Sequence, residues 1–167
     1  MATTHQYHSH LAWAGSTGAG YRDYPRGHRV VTPPANAELA VSADPSFAGD
    51  PSRHNPEQLL LAAASSCQLL SFLALAAYAQ IDVVRYEDDA EAVMPATTDR
   101  MRITAVILRP RIVVAVGTDL ARVADLVAAG HEACYIANTL TAEVTVEPAV
   151  EHADNTVTSG QARTAGG

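Results

Sequence analysis

The feature that most constrains this chain is an uncharged, apolar run from Gln58 to Ile81, within a segment that begins at Asn55. Leucine, alanine and phenylalanine side chains occupy nearly every face of the helix that this composition favours. A helix that is apolar on all sides either crosses a membrane or forms the buried centre of a globular domain. The choice between these two alternatives decides the class of the protein.

The start of the segment carries the signals of a helix N-terminus. Asn55 is a favourable capping residue, Pro56 suits the first helical position, and Gln58 stands three residues after the cap, as in a capping box. Glu57 adds a negative charge at the positive end of the helix dipole. We therefore expect a helix that begins at Asn55 and extends to about Ile81.

The polar residues within the run argue against a membrane span. Uncharged length alone would allow one. The run is rich in alanine, no cluster of basic residues flanks it, and it contains several polar side chains: Ser65, Ser66, Gln68, Ser71, Tyr78 and Gln80. The sequence predicts a buried central helix and no membrane partner.

The N-terminal sequence and the overall charge indicate the compartment of the protein and the partners it is expected to lack. The first ten residues, MATTHQYHSH, lack the basic start and apolar core of a signal peptide, so we expect a cytoplasmic protein. The net charge is −7, which argues against general nucleic-acid binding. At 167 residues, the chain is long enough for one well-packed domain. We predict this domain over residues 1–150 and a disordered tail over residues 151–167, where no apolar period continues.

Strand-like and helical segments surround the central helix in clusters. Short strands are predicted before it, over Gln6–Ala14, Tyr21–Val31 and Glu38–Val41. Two long strands are predicted after it, over 82–94 and 100–116, with Pro110 at a bulge or an edge. Because strands and helices are grouped rather than strictly alternating, the sequence predicts an α+β fold with mainly antiparallel sheet.

The last part of the chain is predicted to hold a second helical region and a closing strand. Thr118 and Asp119 are expected to cap the helical region, which Gly130 interrupts to give two pieces. The second piece contains Cys134. The closing strand is predicted over Thr141–Pro148.

Cys67 is the first candidate for chemistry, because it lies in the middle of the central helix. At that position its pKa gains little from the helix's own N-terminus, so a reactive thiolate needs a nearby cation, and arginine is a natural supplier. The alternative is that Cys67 is a small core residue of an apolar helix.

Cys134 is the second cysteine of the chain. Two cysteines that meet can act as a peroxidatic and resolving pair, in which a thiolate becomes a sulfenic acid and then condenses with the second thiol. Two buried cysteines with a purely structural role would produce the same sequence pattern. Neither His8 with His10 nor His131 with Cys134 is accompanied by a second pair at zinc-site spacing, so no metal or other cofactor is predicted.

Several segments, taken in order, resemble the OsmC/Ohr family of thiol peroxidases, in its OsmC-like branch. The resemblance covers residues from about Trp13 to Pro148, and the segments are YPRGHRV, SADPSFAGDPSRHNPEQLL, NPEQLLLAAASSC, VVRYEDDAEAVM, ITAVILRPRIVV and HEACYIANTL. It implies an intertwined homodimer with an OsmC-like fold, in which two central helices are flanked by sheets and the active sites lie at the subunit interface. It also implies reduction of hydroperoxides, with a dithiol as the reductant.

The resemblance assigns roles to four residues. Cys67 matches the peroxidatic cysteine and Cys134 the resolving cysteine, while Glu57 matches the glutamate that positions the active-site arginine. We take Arg26 as that arginine, in preference to Arg22. Many members carry histidine after the reactive cysteine. This chain has Gln68 there, which can form hydrogen bonds but cannot take a proton at neutral pH.

Helix geometry constrains how Glu57 can act. Ten residues of a continuous helix separate it from Cys67 by about 15 Å along the axis, with the side chains roughly 80° apart. Either the helix bends, or Glu57 reaches the cysteine of the other subunit through an arginine. We expect the second, with Arg26 as the arginine, and it requires the dimer. Leu70 and Phe72 are expected to give the site an apolar lining that favours organic hydroperoxides.

Two other interpretations remain at this stage. One is a non-catalytic, redox-sensing or ligand-binding member of the fold, in which the thiol pair switches conformation without turnover. The other is a structural dimer whose cysteines are core residues and do not react in the folded state.

Overall fold

A computed structural model of the chain describes residues 3–96 and 100–154. Within it the chain forms two compact units, Met1–Leu60 and Leu61–Gly167. Residues 155–167, which make up most of the predicted tail, lie outside the described residues.

The first unit contains a three-stranded antiparallel sheet in the order β1-β2-β3. The strands are β1 (His10–Ala12), β2 (His28–Val31) and β3 (Glu38–Val41). β3 has the predicted bounds, whereas the other two are shorter than predicted. Pro25 cannot donate to a strand ladder, and the residues before it form a turn that follows Gly20, so pairing in the second segment begins only at His28.

Helix α1 (Pro56–Tyr78) is the predicted central helix, and its N-terminus is a capping box. The Gln58 backbone N–H donates to Asn55 Oδ1 at 2.8 Å, and the Asn55 backbone N–H donates to Gln58 Oε1 at 3.0 Å. At the other end, Gln80 takes a left-handed conformation (φ 57°), and the Ile81 N–H donates to the Ala76 carbonyl at 2.9 Å. The start is as predicted, whereas the helix ends at Tyr78 rather than at about Ile81, because Gln80 leaves the right-handed helical conformation.

The second unit contains two mixed sheets, ordered β4-β7-β9 and β5-β6-β8. Each combines one antiparallel and one parallel pair. The described elements are β4 (Val83–Asp88), β5 (Glu91–Val93), β6 (Ala105–Leu108), β7 (Pro110–Val114), α2 (Leu120–Glu132), α3 (Tyr135–Thr139), β8 (Glu143–Val146) and β9 (Ala149–His152). The α+β class is confirmed, with parallel pairs that the sequence did not predict.

Each of the two predicted long strands is in fact two short strands that belong to different sheets. The chain leaves one sheet after Asp88, and it changes sheets again at Arg109, whose backbone N–H donates to Asp88 Oδ1 at 2.7 Å. The Asp88 carboxylate thus accepts a hydrogen bond from the Arg109 backbone at the points where the two predicted long strands divide. Pro110 is the buried first residue of β7, which is the middle strand of its sheet, so the predicted bulge or edge position is wrong.

The end of the folded region also differs from the prediction. The segment from Ala149, which lacks an apolar period, forms β9 and pairs in parallel with β7 up to His152, two residues beyond the predicted end of the domain. A short strand added to a sheet is held by backbone hydrogen bonds, which leave little trace in side-chain pattern.

The core of the second unit lies along one side of α1. Four α1 residues at a spacing of four are buried: Ala64, Gln68, Phe72 and Ala76. α2 packs closely on this side, because a Cβ added at Gly130 would lie 3.1 Å from the Phe72 backbone. By length and composition, α1 is also the described helix that could cross a membrane, a property it shares with core helices of soluble proteins.

Candidate active site

Cys67 lies on α1 beside an open groove of about 580 Å³. The groove is lined mainly by small and apolar side chains: Ala63, Ser66, Cys67, Leu70, Ser71, Ala74, Leu75, Ala133 and Tyr135. Leu70 lines the groove as predicted. Phe72 does not, because it points to the opposite side of α1 and is completely buried in the core.

Cys134 is buried at the junction between α2 and α3. It precedes α3 as the capping residue, and its sulfur accepts a hydrogen bond from the Ala137 backbone N–H at 3.4 Å. The predicted interruption therefore falls at residues 133–134 rather than at Gly130, which lies within α2. A free sulfur at a cap position can accept from the first turn of its own helix.

The structure brings the two cysteines together. The Ile136 backbone N–H, on α3, donates to Cys67 Sγ at 3.5 Å across 69 residues of sequence. The next backbone N–H of α3, that of Ala137, donates to Cys134 Sγ, so both sulfurs lie against the first turn of α3, and both thiols are free. The predicted pairing of Cys67 with Cys134 thus has a spatial basis.

The surroundings move the pKa values of the two thiols in opposite directions. Burial tends to raise the pKa of Cys67, but it is outweighed by hydrogen bonds from the Ile136 N–H, the Cys134 thiol, the Tyr135 N–H and the Ser71 hydroxyl, so the pKa falls below its ordinary value. Burial raises the pKa of Cys134, and the charge of Cys67 raises it further, against the Ala137 N–H. Cys67 is therefore the better thiolate and Cys134 the better thiol.

Sequence reasoning missed the source of this stabilisation. It required a cation for Cys67, whereas the described donors are backbone N–H groups of α3 and the Ser71 hydroxyl. The sequence could have indicated Ser71, because Ser71 and Cys67 are four residues apart and therefore share a face of α1. The α3 donors were not, because they are distant in the chain.

Arg26 lies in the first unit, where its neighbours fix it. Its guanidinium donates to the backbone carbonyls of Tyr24, at 3.0 Å, and Tyr21. It also lies 4.1 Å from the centre of the Tyr24 ring and 4.8 Å from that of Tyr21. Arg22 is exposed. The choice of Arg26 over Arg22 and its role in the active site stay predictions.

Glu57 is half-buried in the first turn of α1. Among the ion pairs between described residues, Glu57 takes part in none, and Arg26 is held by carbonyl groups instead. The predicted Glu57–Arg26 contact is therefore not formed within the described chain. Its predicted form through a second subunit stays a prediction.

Gln68, which follows Cys67, is completely buried and faces the core. Its Nε2 donates to the Val127 carbonyl of α2 at 3.1 Å, while its Oε1 has no hydrogen-bond partner among the described residues. Gln68 thus links α1 to α2 behind the cysteine.

Asp88 fixes the turn of α1 before Cys67. Its carboxylate accepts a hydrogen bond from the Ser65 hydroxyl, on α1, and another from the Arg109 N–H. Within residues 3–96 and 100–154, no group of three or more His, Cys, Asp or Glu side chains is arranged to hold a metal ion.

Comparison with known proteins decides the family. The sequence profile of OsmC-like proteins matches residues 49–149, which include both cysteines and the whole of α1. The chain belongs to the OsmC-like family. A search of curated protein sequences finds no significant match.

Solved structures show that this OsmC-like protein has the fold of its family. An OsmC-like protein of unknown function from Vibrio cholerae is 26% identical, with a TM-score of 0.78 over 87% of this chain and 100% of that one. An organic hydroperoxide resistance protein OsmC from Legionella pneumophila is 21% identical, with a TM-score of 0.65 over 89% and 98%. An organic hydroperoxide resistance protein from Elizabethkingia anophelis is 19% identical, with a TM-score of 0.65 over 92% of this chain and 100% of that one.

Proposed function

We propose that this OsmC-like protein is a cofactor-free thiol peroxidase that reduces organic hydroperoxides, with a dithiol as reductant. The observation that carries the proposal is the pairing of two free thiols whose pKa values are shifted in opposite directions. A peroxidatic cysteine must be a thiolate at neutral pH, whereas a resolving cysteine can wait as a thiol.

The first step is attack by the Cys67 thiolate on the outer oxygen of the hydroperoxide. An S–O bond forms and the O–O bond breaks, so that Cys67 becomes a sulfenic acid and the substrate leaves as an alcohol after taking up a proton. The Ile136 N–H and the Ser71 hydroxyl favour the thiolate before attack.

The second step joins the two cysteines. The Cys134 sulfur attacks the Cys67 sulfur, the S–O bond breaks, and the hydroxyl group leaves as water with the proton of Cys134. A dithiol then reduces the Cys67–Cys134 disulfide by two thiol exchanges and becomes a disulfide itself. The cycle returns both cysteines as thiols, in the reducing setting of the cytoplasm.

The groove supports a preference for organic hydroperoxides over hydrogen peroxide. Its walls beside Cys67 are formed by Leu70, Leu75 and several alanines, and it is open enough to admit an alkyl group. Burial of that alkyl group supplies binding free energy that hydrogen peroxide cannot obtain.

The active form is proposed to be a homodimer, as the family resemblance implies. The outward side of α1 supports this, because Leu70 is 63% exposed and lies in an apolar row with Ala63 and Ala74. In the dimer, Arg26 would act on the Cys67 thiolate and on the peroxide oxygen, and Glu57 would position Arg26.

The test is the intact mass and free-thiol count of the reduced protein after one equivalent of cumene hydroperoxide. We expect loss of both thiols in the wild type and a sulfenic acid on Cys67 in Cys134→Ser. Cys67→Ser is the control and should keep its remaining thiol. Survival of both thiols in the wild type would refute the proposal.

A redox switch without turnover is the second candidate, because the same thiol pair could form a disulfide once and change the conformation near α3. Consumption of many equivalents of hydroperoxide with excess dithiothreitol would separate the two. We expect repeated turnover, and a single equivalent consumed would favour the switch.

A further inference from the structure

One aromatic side chain beside Cys67 is left largely uncovered by the rest of the chain. Tyr135 is the first residue of α3, and it is 81% exposed. Among the aromatic pairs between residues 3–96 and 100–154, Tyr135 takes part in none. The fold therefore leaves most of this ring available to an apolar ligand.

The first turn of α3 places the Tyr135 ring close to the reactive sulfur. The Ile136 backbone N–H donates to Cys67 Sγ at 3.5 Å, so this turn lies against the thiol. Thr139 Oγ1 donates to the Tyr135 carbonyl at 2.7 Å, one turn further along α3. The Tyr135 side chain lines the same groove as Cys67. Tyr135 is therefore held at the groove by the turn that contacts the thiol.

The groove has room for an organic group beside the Tyr135 ring. Its volume of about 580 Å³ lies within the range of about 300–1,000 Å³ that is usual for small-ligand sites. Leu70, which also lines it, is 63% exposed, so a second large apolar side chain is available to a ligand. Apart from Cys67 and these larger side chains with Leu75, the lining residues are small: Ala63, Ser66, Ser71, Ala74 and Ala133.

We propose that Tyr135 is a specificity-determining residue, whose ring packs against the organic group of the hydroperoxide and favours an aryl group. This inference rests on the proposed function, because it names the class of hydroperoxide that the Cys67 site prefers. Two aromatic rings in an offset or edge-to-face arrangement attract each other by more than their buried area alone provides. An aryl hydroperoxide therefore gains a contact that an alkyl hydroperoxide lacks.

The contact leaves the chemical step unchanged. The Cys67 thiolate attacks the outer oxygen, an S–O bond forms as the O–O bond breaks, and the organic part leaves as an alcohol after taking up a proton. Tyr135 contacts only the organic group and neither gives nor takes a proton. Its effect is therefore on the relative kcat/KM values of different hydroperoxides.

Cumene hydroperoxide and tert-butyl hydroperoxide form a matched pair of substrates for the test. Both carry the peroxide group on a tertiary carbon, and they differ in the phenyl group that replaces one methyl group. The ratio of their kcat/KM values, measured with excess dithiothreitol, reports the contribution of the phenyl group. A change in the Cys67 thiolate affects both substrates and cancels in this ratio.

Tyr135→Ala removes the ring, Tyr135→Phe keeps it, and Tyr78→Ala is the matched control. Tyr78, at the end of α1, is 87% exposed and does not line the groove. We expect Tyr135→Ala to lower the ratio of cumene to tert-butyl hydroperoxide about tenfold, since the phenyl group loses both apolar contact and stacking. Tyr135→Phe and Tyr78→Ala should keep a ratio close to that of the wild type. An unchanged ratio in Tyr135→Ala would overturn the inference.

The competing occupant of the Tyr135 surface is a second copy of this chain. Sedimentation of each variant at the concentration of the kinetic measurements tests for it. A Tyr135→Ala protein that loses the dimer, with equal loss of kcat/KM for both hydroperoxides, would make Tyr135 a subunit contact and overturn the inference. Tyr135→Leu keeps an apolar side chain but no ring, so it should sediment like the wild type and lower the ratio about threefold.

A binding measurement does not depend on peroxidase activity. The product alcohols 2-phenylpropan-2-ol and tert-butanol would each be titrated into the reduced protein and followed by NMR. Tyr135→Ala should weaken binding of the phenyl alcohol about tenfold relative to tert-butanol. Unchanged binding of the phenyl alcohol refutes the role of Tyr135, whereas a wild-type protein that no hydroperoxide oxidises refutes the proposed function and leaves the binding result standing.

Discussion

The two sides of α1 are equally apolar, yet the second unit uses them differently. The inward side, with Ala64, Phe72 and Ala76, is buried against α2 and the sheets. The outward side, with Ala63, Leu70 and Ala74, lines an open groove. Cys67 lies between the two sides and is half-buried. The comparison shows that hydropathy identified the helix but could not tell which side forms the core and which carries the chemistry.

The largest expected difference between the two sides is in stability. Phe72→Ala removes a fully buried aromatic side chain and should lower the free energy of unfolding by about 3–5 kcal/mol in urea denaturation. Leu70→Ala, at an exposed position on the other side, should cost about 1 kcal/mol or less per chain. If Phe72→Ala and Leu70→Ala lowered the free energy of unfolding equally at every protein concentration, the distinction between the two sides of α1 would be contradicted. A Leu70→Ala loss that grows with protein concentration would support the proposed dimer.

A smaller effect is expected from Gly130→Ala, which tests how closely α2 approaches the inward side. The new Cβ would lie 3.1 Å from the Phe72 N and Cα atoms, and backbone atoms cannot rotate away. We expect a net loss of about 1–2 kcal/mol in thermal or urea unfolding, despite the better helix propensity of alanine. A gain in stability would mean that the two helices are further apart than described.

Ser71→Ala tests how the thiolate of Cys67 is stabilised at the boundary between the inward and outward sides of α1. Its hydroxyl is one of the donors that lower the pKa of Cys67, so its loss should raise that pKa. Alkylation of Cys67 by iodoacetamide, measured against pH in Cys134→Ser, should have its midpoint at a higher pH in Ser71→Ala than in the chain that keeps Ser71. Near pH 7 the variant should react severalfold more slowly. Ser71→Thr, which keeps the hydroxyl, should restore the lower midpoint.

The same shift has a consequence for stability. Because the folded-state pKa of Cys67 is depressed, its thiolate adds stability above the ordinary thiol pKa, and this is lost as pH falls through the depressed value. Cys134, with a raised pKa, adds stability below its ordinary value that is lost as pH rises. Cys67→Ser should therefore change the pH dependence of melting below the ordinary thiol pKa, and Cys134→Ser should change it in the opposite sense above that pKa.

The smallest effect is expected from Gln68→Met, at the polar position of the inward side. The change removes the bond to the Val127 carbonyl but also removes a buried oxygen that has no described partner. These contributions oppose each other, so we expect a change within about 1 kcal/mol in urea unfolding. A loss above about 3 kcal/mol would show that Gln68 has a further hydrogen-bond partner.

Local signals made parts of the fold predictable. The capping box at Asn55, the bounds of β3 and the cap at Asp119 were all found from residues within a few positions of one another. The division of the long strands was not found, because it depends on Asp88 binding the distant Arg109 N–H. The parallel pairing of β9 with β7 could not be predicted either, since the local sequence of a short strand does not indicate which strand it pairs with.

The sequence by itself determined the central helix, the α+β class, the family and the two cysteines that carry the proposed chemistry. Only the tertiary structure decided which cysteine is the better thiolate, since the donors to Cys67 come from α3 and the desolvation of Cys134 comes from its burial. Helix periodicity and caps act over a few residues, whereas hydrogen bonding and burial of a thiol depend on groups brought together from distant parts of the chain. The local pattern could therefore identify the two thiols, and only the folded chain shows the groups that separate their pKa values.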